Sequence, residues 1–324
     1  MKLLCISLWT SLMVAVPASQ AGPTLLILNK TDATLALVDP ATNAVIAKVP
    51  TGDGPHEVVV STDGKFAFVS NYGGAQAPGN SISMIDLAAR KEVRRIDVSP
   101  LARPHGLAFH EGKLYFTSET NQVVGRYDPA TNKVDAQYQT GQRTSHMVLM
   151  SRDSAHMFTA NIGGNSISIF DRGGDTGWTN ATAVAVGRGP EGFDVSPDGR
   201  EVWAAHSQDG AVSIIDVAKR TVTATLDLKT RRSNRLKFTP DGTHVLITDL
   251  DAGELIVLDA RARKELKRVQ LGRMVEGILI TPDGSKAYVA EAGDDSVAMI
   301  ETKTWTLTGR IKPGVGPDGM AWVR

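Results

Sequence analysis

The sequence predicts an all-β fold, a seven-bladed β-propeller of four-stranded antiparallel blades whose last blade is closed by the N-terminal strands plus the C-terminal strand. Three observations predict it: a repeat of fixed period, a strand-and-turn grammar inside each copy, and two chain ends that are each an incomplete copy. Six segments align, PHEVVVSTDGKFAFVSN, PHGLAFHEGKLYFTSE, SHMVLMSRDSAHMFTAN, PEGFDVSPDGREVWAAH, SNRLKFTPDGTHVLITD and VEGILITPDGSKAYVAE, and PDGMAWV starts a seventh. Their second residues are His56, His105, His146, Glu191, Asn234, Glu276 and Asp318, spaced 49, 41, 45, 43, 42 and 42 apart. Such a period with strand signals marks a propeller or an array. The long first spacing is explained by the insert around AQAPGN at 75–80.

Within a copy, a short apolar strand leads into a Ser/Thr-Pro-Asp-Gly turn, where proline presets φ and glycine takes the positive φ that closes a tight hairpin. A second strand follows, then a third that reads SISMID, VVGRYD, SISIFD, VSIID, LIVLD or SVAMIE. Its terminal acid can accept hydrogen bonds from the next turn. A fourth strand such as EVRRIDV completes the unit, and radial repetition of four-stranded sheets leaves only short, protected edges. TLLILN, TLALVD and VIAKV supply a second, third and fourth strand without a first, while GMAWVR supplies a first alone. Together they make one blade.

Residues 1–21 read as a secretory signal: Met1 and Lys2, the apolar run LLCISLWTSLMVAV, then PASQA with small residues at Ser19 and Ala21. The run is shorter than the roughly 20 residues a membrane anchor needs. Residues 22–324 then form a single propeller domain, periplasmic or secreted, with no membrane span after cleavage and expected to be a monomer. The one cysteine, Cys5, falls in the signal, which excludes disulfides, thiolate metal sites, a cysteine nucleophile and a CxxCH haem attachment from the mature chain. With 35 basic and 35 acidic residues the formal charge is zero, so the overall field argues against nucleic acid as a partner.

Through PEGFDVSPDGREVWAAH with VSIID, and VSNYGG with SISMID, the chain resembles the YVTN-repeat β-propeller family. The resemblance spans nearly the whole mature chain and implies the fold. It leaves function open, since similar rings serve as binding proteins, lactonases, lyases and haem-carrying domains. HEGKLYF in the second copy lacks the Pro-Asp of the turn, and SRDSAHMF in the third has Ser154 for glycine.

In such a ring the first strand lines the central channel and the second runs back beside it, so one mouth gathers the starts of the first strands and the ends of the second. Counting seven residues past the turn glycine places Asn71, Glu119, Asn161, His206, Asp249 and Glu291 there, with Asn29 from the composite blade. Four of the seven histidines fall among the fourteen first-strand starts and second-strand ends. His56, His105 and His146 on consecutive blades are candidate ligands for a divalent transition metal, zinc, iron, copper or manganese, with Glu119, Glu191 or His206 orienting them. The competing reading is a water-filled channel whose groups bond one another. Arg103, Arg143, Arg188, Arg231, Arg232 and Arg273 precede the first strands and would rim the mouth, suited to carboxylate or phosphate or paired with the acids below. His110, His156 and His244 read as surface or packing residues, and Trp203, Trp305 and Trp322 as blade core.

Four functions stay open: an exported propeller that holds a small ligand, anionic or not, a metal or a partner protein at its mouth; a metal-dependent hydrolase or lyase, lactonase-like, with Glu191, His206 or Glu119 moving the proton; a binder of single-stranded nucleic acid; and a haem d1 carrier. In the first, Asn71, Asn161, Asn234, Asp249, Glu276, Glu291 and Asp318 join the arginines as ligand contacts.

Overall fold

In the computed structural model, which describes residues 22–174 and 177–324, the chain forms seven four-stranded antiparallel sheets and, among those residues, no α-helix. The predicted propeller is the observed fold. Blade one comprises Pro55–Val60, Phe66–Gly73, Pro78–Asp86 and Lys91–Asp97. Blade two comprises Pro104–His110, Lys113–Ser118, Val123–Asp128 and Lys133–Gln139. Blades three to six open with Ser145–Met150, Pro190–Val195, Ser233–Phe238 and Val275–Ile280. In blade seven Pro317–Val323 pairs with Thr24–Asn29, Leu25 opposite Trp322 and Ile27 opposite Met320, so the two ends close the ring.

The stability of the ring lies between blades. Seven apolar clusters fill the seven interfaces. Phe68 and Ile82 of blade one, for instance, meet Leu107, Phe116 and Tyr127 of blade two, and Trp203 of blade four meets Phe238 of blade five edge-on at 5.5 Å. Each such side chain contributes about 1.5–3 kcal/mol by leaving water. As expected, Trp203 and Trp305 are buried.

The hairpin turns work through aspartate as much as through proline and glycine. Asp63 accepts from the Ser61 hydroxyl at 2.6 Å and from the Lys65 amide at 3.1 Å, and Asp153, Asp198, Asp241 and Asp283 do the same in four other blades. Where blade three lacks glycine, Ser154 takes φ 61° itself. The acids closing third strands cap the following turns, as at Asp39, Asp86, Asp128, Asp216 and Asp259. Asp171 instead pairs with Arg220 and His156.

Blade two departs from the other hairpins. Glu111 and Gly112, at φ 47° and 74°, make a two-residue turn between His110 and Lys113, the geometry that matches strand twist. Pro104 therefore faces Ser118, whereas blade one puts Asn71 opposite Pro55. Among the described residues no helix is long and apolar enough to cross a membrane. The signal reading of 1–21, with Cys5, lies outside the described residues.

Candidate functional site

Each innermost strand breaks register just after its first residue in blades one to six, for example between Pro55 and Val58 and between Pro104 and Leu107. A bulge of this kind re-aims a side chain, and here it turns the second residue into the channel. All seven residues expected there, His56, His105, His146, Glu191, Asn234, Glu276 and Asp318, line one cavity of about 160 Å³. Lys30, Tyr72, Arg232, Arg235 and Leu250 complete its wall. This volume is below the range of about 300–1,000 Å³ typical of pockets for drug-sized ligands. An ion or a molecule of a few heavy atoms fits this volume.

The expected second tier is a different set of residues. Asn71 accepts from the Gly52 amide and donates to Ser81 and Ser83. Asn161 joins Ser145 to Ser166 and Ser168. Asp249 accepts from the Arg231 and Arg232 amides, and Glu291 from Gly272, Ser296 and Arg310. Asn29 bonds Thr34 and the Pro313 carbonyl. These side chains tie the incoming loop to the second and third strands, and the cavity wall does not include them. His206 holds the same position: its Nδ1 lies 2.9 Å from Asp209 Oδ1, and a Cβ on Gly187 would stand 2.1 Å from that nitrogen. A catalytic role for His206 at the mouth is therefore corrected. It is 1 % exposed and sits under the 187–189 loop.

Glu119 reaches the site for another reason than the one that singled it out. The short hairpin of blade two moves it one residue past the strand-end position, to the place of Tyr72 and Lys30, as the Glu119 amide bonding the Arg103 carbonyl confirms against Tyr72 on Gly54 and Lys30 on Gly316. There Glu119 Oε1 is 2.5 Å from His146 Nδ1 and Oε2 is 2.5 Å from the Tyr72 hydroxyl. Ligand atoms of His105, Glu119 and His146 lie within 4.8 Å of one another. The His105 and His146 rings stand 3.7 Å apart, and His56 is 4.9 Å from His105. His105 Nδ1 and His146 Nε2 are buried without a hydrogen-bond partner. Buried polar atoms are ordinarily paired, so two orphaned imidazole nitrogens beside a carboxylate are what a site for a transition cation offers.

The other half of the channel is ionic. Arg235, from the third position of its strand, reaches across to Glu57 at 2.6 Å and donates to the side-chain Oδ1 of neighbouring Asn234 at 3.3 Å, and Asn234 donates to Glu191 at 2.7 Å. Lys30 stands 3.4 Å from both Glu276 and Asp318. Sequence reasoning missed Arg235, Glu57, Lys30 and Tyr72. A signal was present: four blades have glycine at the third position, Gly106, Gly192, Gly277 and Gly319, where Glu57 and Arg235 stand out.

Burial, aided by the Lys30 charge, lowers His56 to about 4, and burial with the neighbouring imidazoles puts His105 well below its ordinary value. Both present neutral rings at neutral pH. Burial pushes Glu276 up to about 7, with the Asp318 charge adding to it and Lys30 opposing. Burial would raise Asp318 and Glu119 as well, but Lys30 and Arg235 hold the first, and the His146 and Tyr72 hydrogen bonds the second, below the ordinary carboxylate values.

The arginine collar is mostly engaged elsewhere. Arg143 and Arg188 donate to the Gly163 and Gln208 carbonyls, Arg273 pairs with Asp294, and the Arg103 guanidinium lies over the Tyr72 ring at 4.8 Å. Of these six arginines only Arg232 lines the cavity.

The fold and cavity define a seven-bladed propeller with an imidazole and carboxylate channel mouth. Residues 91–235 match the family model described as Lactonase, 7-bladed beta-propeller. The chain is 25 % identical over 95 residues to Antigen Lp49 of Leptospira interrogans, a stretch that spans 29 % of this chain and 21 % of that protein. Among solved structures it is similar to a putative 6-phosphogluconolactonase from Bacteroides uniformis, with TM-score 0.79, 16 % identity, and coverage of 93 % of this chain and 99 % of that one. It is also similar to a periplasmic gluconolactonase of Pseudomonas aeruginosa, with TM-score 0.76, 15 % identity and 93 % and 99 % coverage. A third is the hydrazine synthase of Kuenenia stuttgartiensis, with TM-score 0.70, 19 % identity and 82 % and 88 % coverage. At these identities the structural likeness speaks for the fold.

Proposed function

We propose that this chain is an exported, periplasmic propeller that binds a divalent transition metal at the channel mouth, on His105 and His146 beside Glu119, and offers it to a small ligand entering the cavity. The carrying observation is the pair of buried, unpartnered nitrogens, His105 Nδ1 and His146 Nε2, next to a carboxylate. Neutral imidazole suits zinc, copper or iron, and His56 supplies a third ring on the neighbouring blade. Metal content of untagged protein, loaded with each cation in turn, tests this reading. About one equivalent is expected in the wild type and none in the His105→Ala, His146→Ala double variant. No stoichiometric metal under any loading condition would sink it.

A second reading is metal-assisted hydrolysis of a small lactone. The lactonase family match favours it, because residues 91–235 contain His105, Glu119, His146 and Glu191. A bound cation would polarise the lactone carbonyl, and Glu191, which lines the cavity, would take a proton from the attacking water. Metal-dependent opening of δ-gluconolactone, lost in Glu191→Gln, is the expected result; lactone opening at the uncatalysed rate leaves the binding role alone.

A further inference from the structure

We propose that Tyr72 and Glu119 form a positioning pair that locks the His146 ring in its Nδ1–H tautomer and so presents Nε2 to the cation; this rests on the metal reading above. An ionised carboxylate only accepts hydrogen bonds. Glu119 Oε1 lies 2.5 Å from His146 Nδ1, so that nitrogen carries the proton and Nε2 keeps its lone pair. Nε2 is the atom left buried and unpartnered.

The second carboxylate oxygen is also occupied, by the Tyr72 hydroxyl at 2.5 Å. With both oxygens engaged and no place in the cavity wall, Glu119 orients the ring instead of ligating the metal. Tyr72 is itself held in place: the His56 ring packs against it at 4.6 Å, tilted by 35°, His105 meets it edge-on at 5.5 Å, and the Arg103 guanidinium lies over its ring. The phenol therefore fixes which way the carboxylate points, and the carboxylate fixes the imidazole. Outer partners of this kind are worth about 10–100-fold in metal affinity.

One equivalent position, at or just past the end of the second strand, holds Lys30, Tyr72, Glu119, Ile162, Ser207, Leu250 and Ala292 around the ring, each placed by the same backbone hydrogen bond. Only blades one and two put a phenol and a carboxylate side by side there. These two blades also supply His56 and His105, and the next blade supplies His146.

The test uses the mature chain labelled with nitrogen-15 in histidine. Ring nitrogen shifts of the metal-free protein report the tautomer, and competition with a chromophoric chelator reports zinc affinity. The wild type is expected to show His146 as Nδ1–H. Glu119→Gln, whose amide can donate as well as accept, should populate the Nε2–H form and weaken zinc about 10–100-fold. Tyr72→Phe, the gentler variant, should keep the fold and the Nδ1–H form but weaken zinc by a smaller factor. An Nε2–H wild type, or zinc affinity unchanged in both variants, overturns the lock. A wild type that shows Nδ1–H yet takes up no zinc overturns instead the metal reading, and with it the claim that Nε2 serves a cation.

Discussion

Arg235 crosses the channel from blade five to meet Glu57 of blade one at 2.6 Å, below the ring of first-strand side chains. Arg235 also lines the cavity, so the pair ties the cavity wall to the opposite side of the ring. Arg235 is buried and Glu57 largely so, with 15 % of its side chain exposed, and Asp318 Oδ1 stands 3.8 Å from the same guanidinium. Removing one partner of a buried pair costs about 3–5 kcal/mol, because the other is left charged and unpaired. Arg235→Met should therefore lower unfolding free energy by that amount in urea titration, and Glu57→Gln added to it should recover part of the loss. Equal stability of Arg235→Met and wild type would show that the bridge does not form.

Two channel residues oppose each other in the pH dependence of stability. His56 is held near 4 in the fold against an ordinary 6.5, so between those values the unfolded chain binds a proton that the native state refuses. Its contribution is complete above about 6.5 and is lost as the pH falls toward 4. Glu276 is raised to about 7 from 4.5, so there the native state holds the extra proton, and stability from this group is lost as the pH rises through that window. One proton corresponds to a slope of about 1.4 kcal/mol per pH unit. His56→Gln should flatten the rise in unfolding free energy between pH 4.5 and 6.5, whereas Glu276→Gln should steepen it. Shifts of the same sign in both variants would contradict the assignment.

The ring of seven channel residues was legible because a one-dimensional repeat carries it: the second residue of each first strand recurs at the blade period. The second tier was not, because counting from the turn glycine assumes seven equal hairpins. Blade two has a two-residue turn, so the count lands on Ser118's successor. In the other blades it lands on residues that bond within their own blade or to the loop entering it. Asn71, Asp249 and Glu291 are polar because loop amides need partners, and His206 because it pairs with Asp209, which takes the Arg188 amide; such local requirements leave the same mark as a ligand site. Arg235 and Glu57 escaped because their partnership spans 178 residues and depends on both facing a common axis.

The placement of His206 makes a sharp expectation. With Nδ1 on Asp209 and no place in the cavity wall, it serves the loop that carries Arg188, whose amide bonds the same aspartate. His206→Asn, which restores the residue type of Asn71 and Asn161 in the same role, should bind metal and ligand as the wild type does. His206→Ala leaves Asp209 short of a donor and should cost about 1–3 kcal/mol of stability with metal affinity unchanged. A tenfold loss of metal affinity in His206→Asn would return this histidine to the site.

Gly106 offers a test of the proposed metal site that leaves every candidate ligand in place. A Cβ at this position would stand 2.6 Å from the His146 carbonyl oxygen and 2.6 Å from Met147 Cα, closer than real Cβ contacts come, and both are backbone atoms that cannot swing aside. The Gly106 amide also bonds Thr117, whose hydroxyl donates to that same carbonyl, so the first strands of blades two and three are laced together at the histidines. Gly106→Ala must push the two strands apart, at a cost of about 1–3 kcal/mol for overpacking. The strain falls on the spacing between His105 and His146, whose rings are 3.7 Å apart. The variant keeps every candidate ligand yet should bind zinc at least tenfold more weakly, while Gly112→Ala, at the exposed hairpin tip of the same blade, should lose stability alone. Equal zinc affinity in the two variants would mean that the cation does not depend on the separation of these two imidazoles.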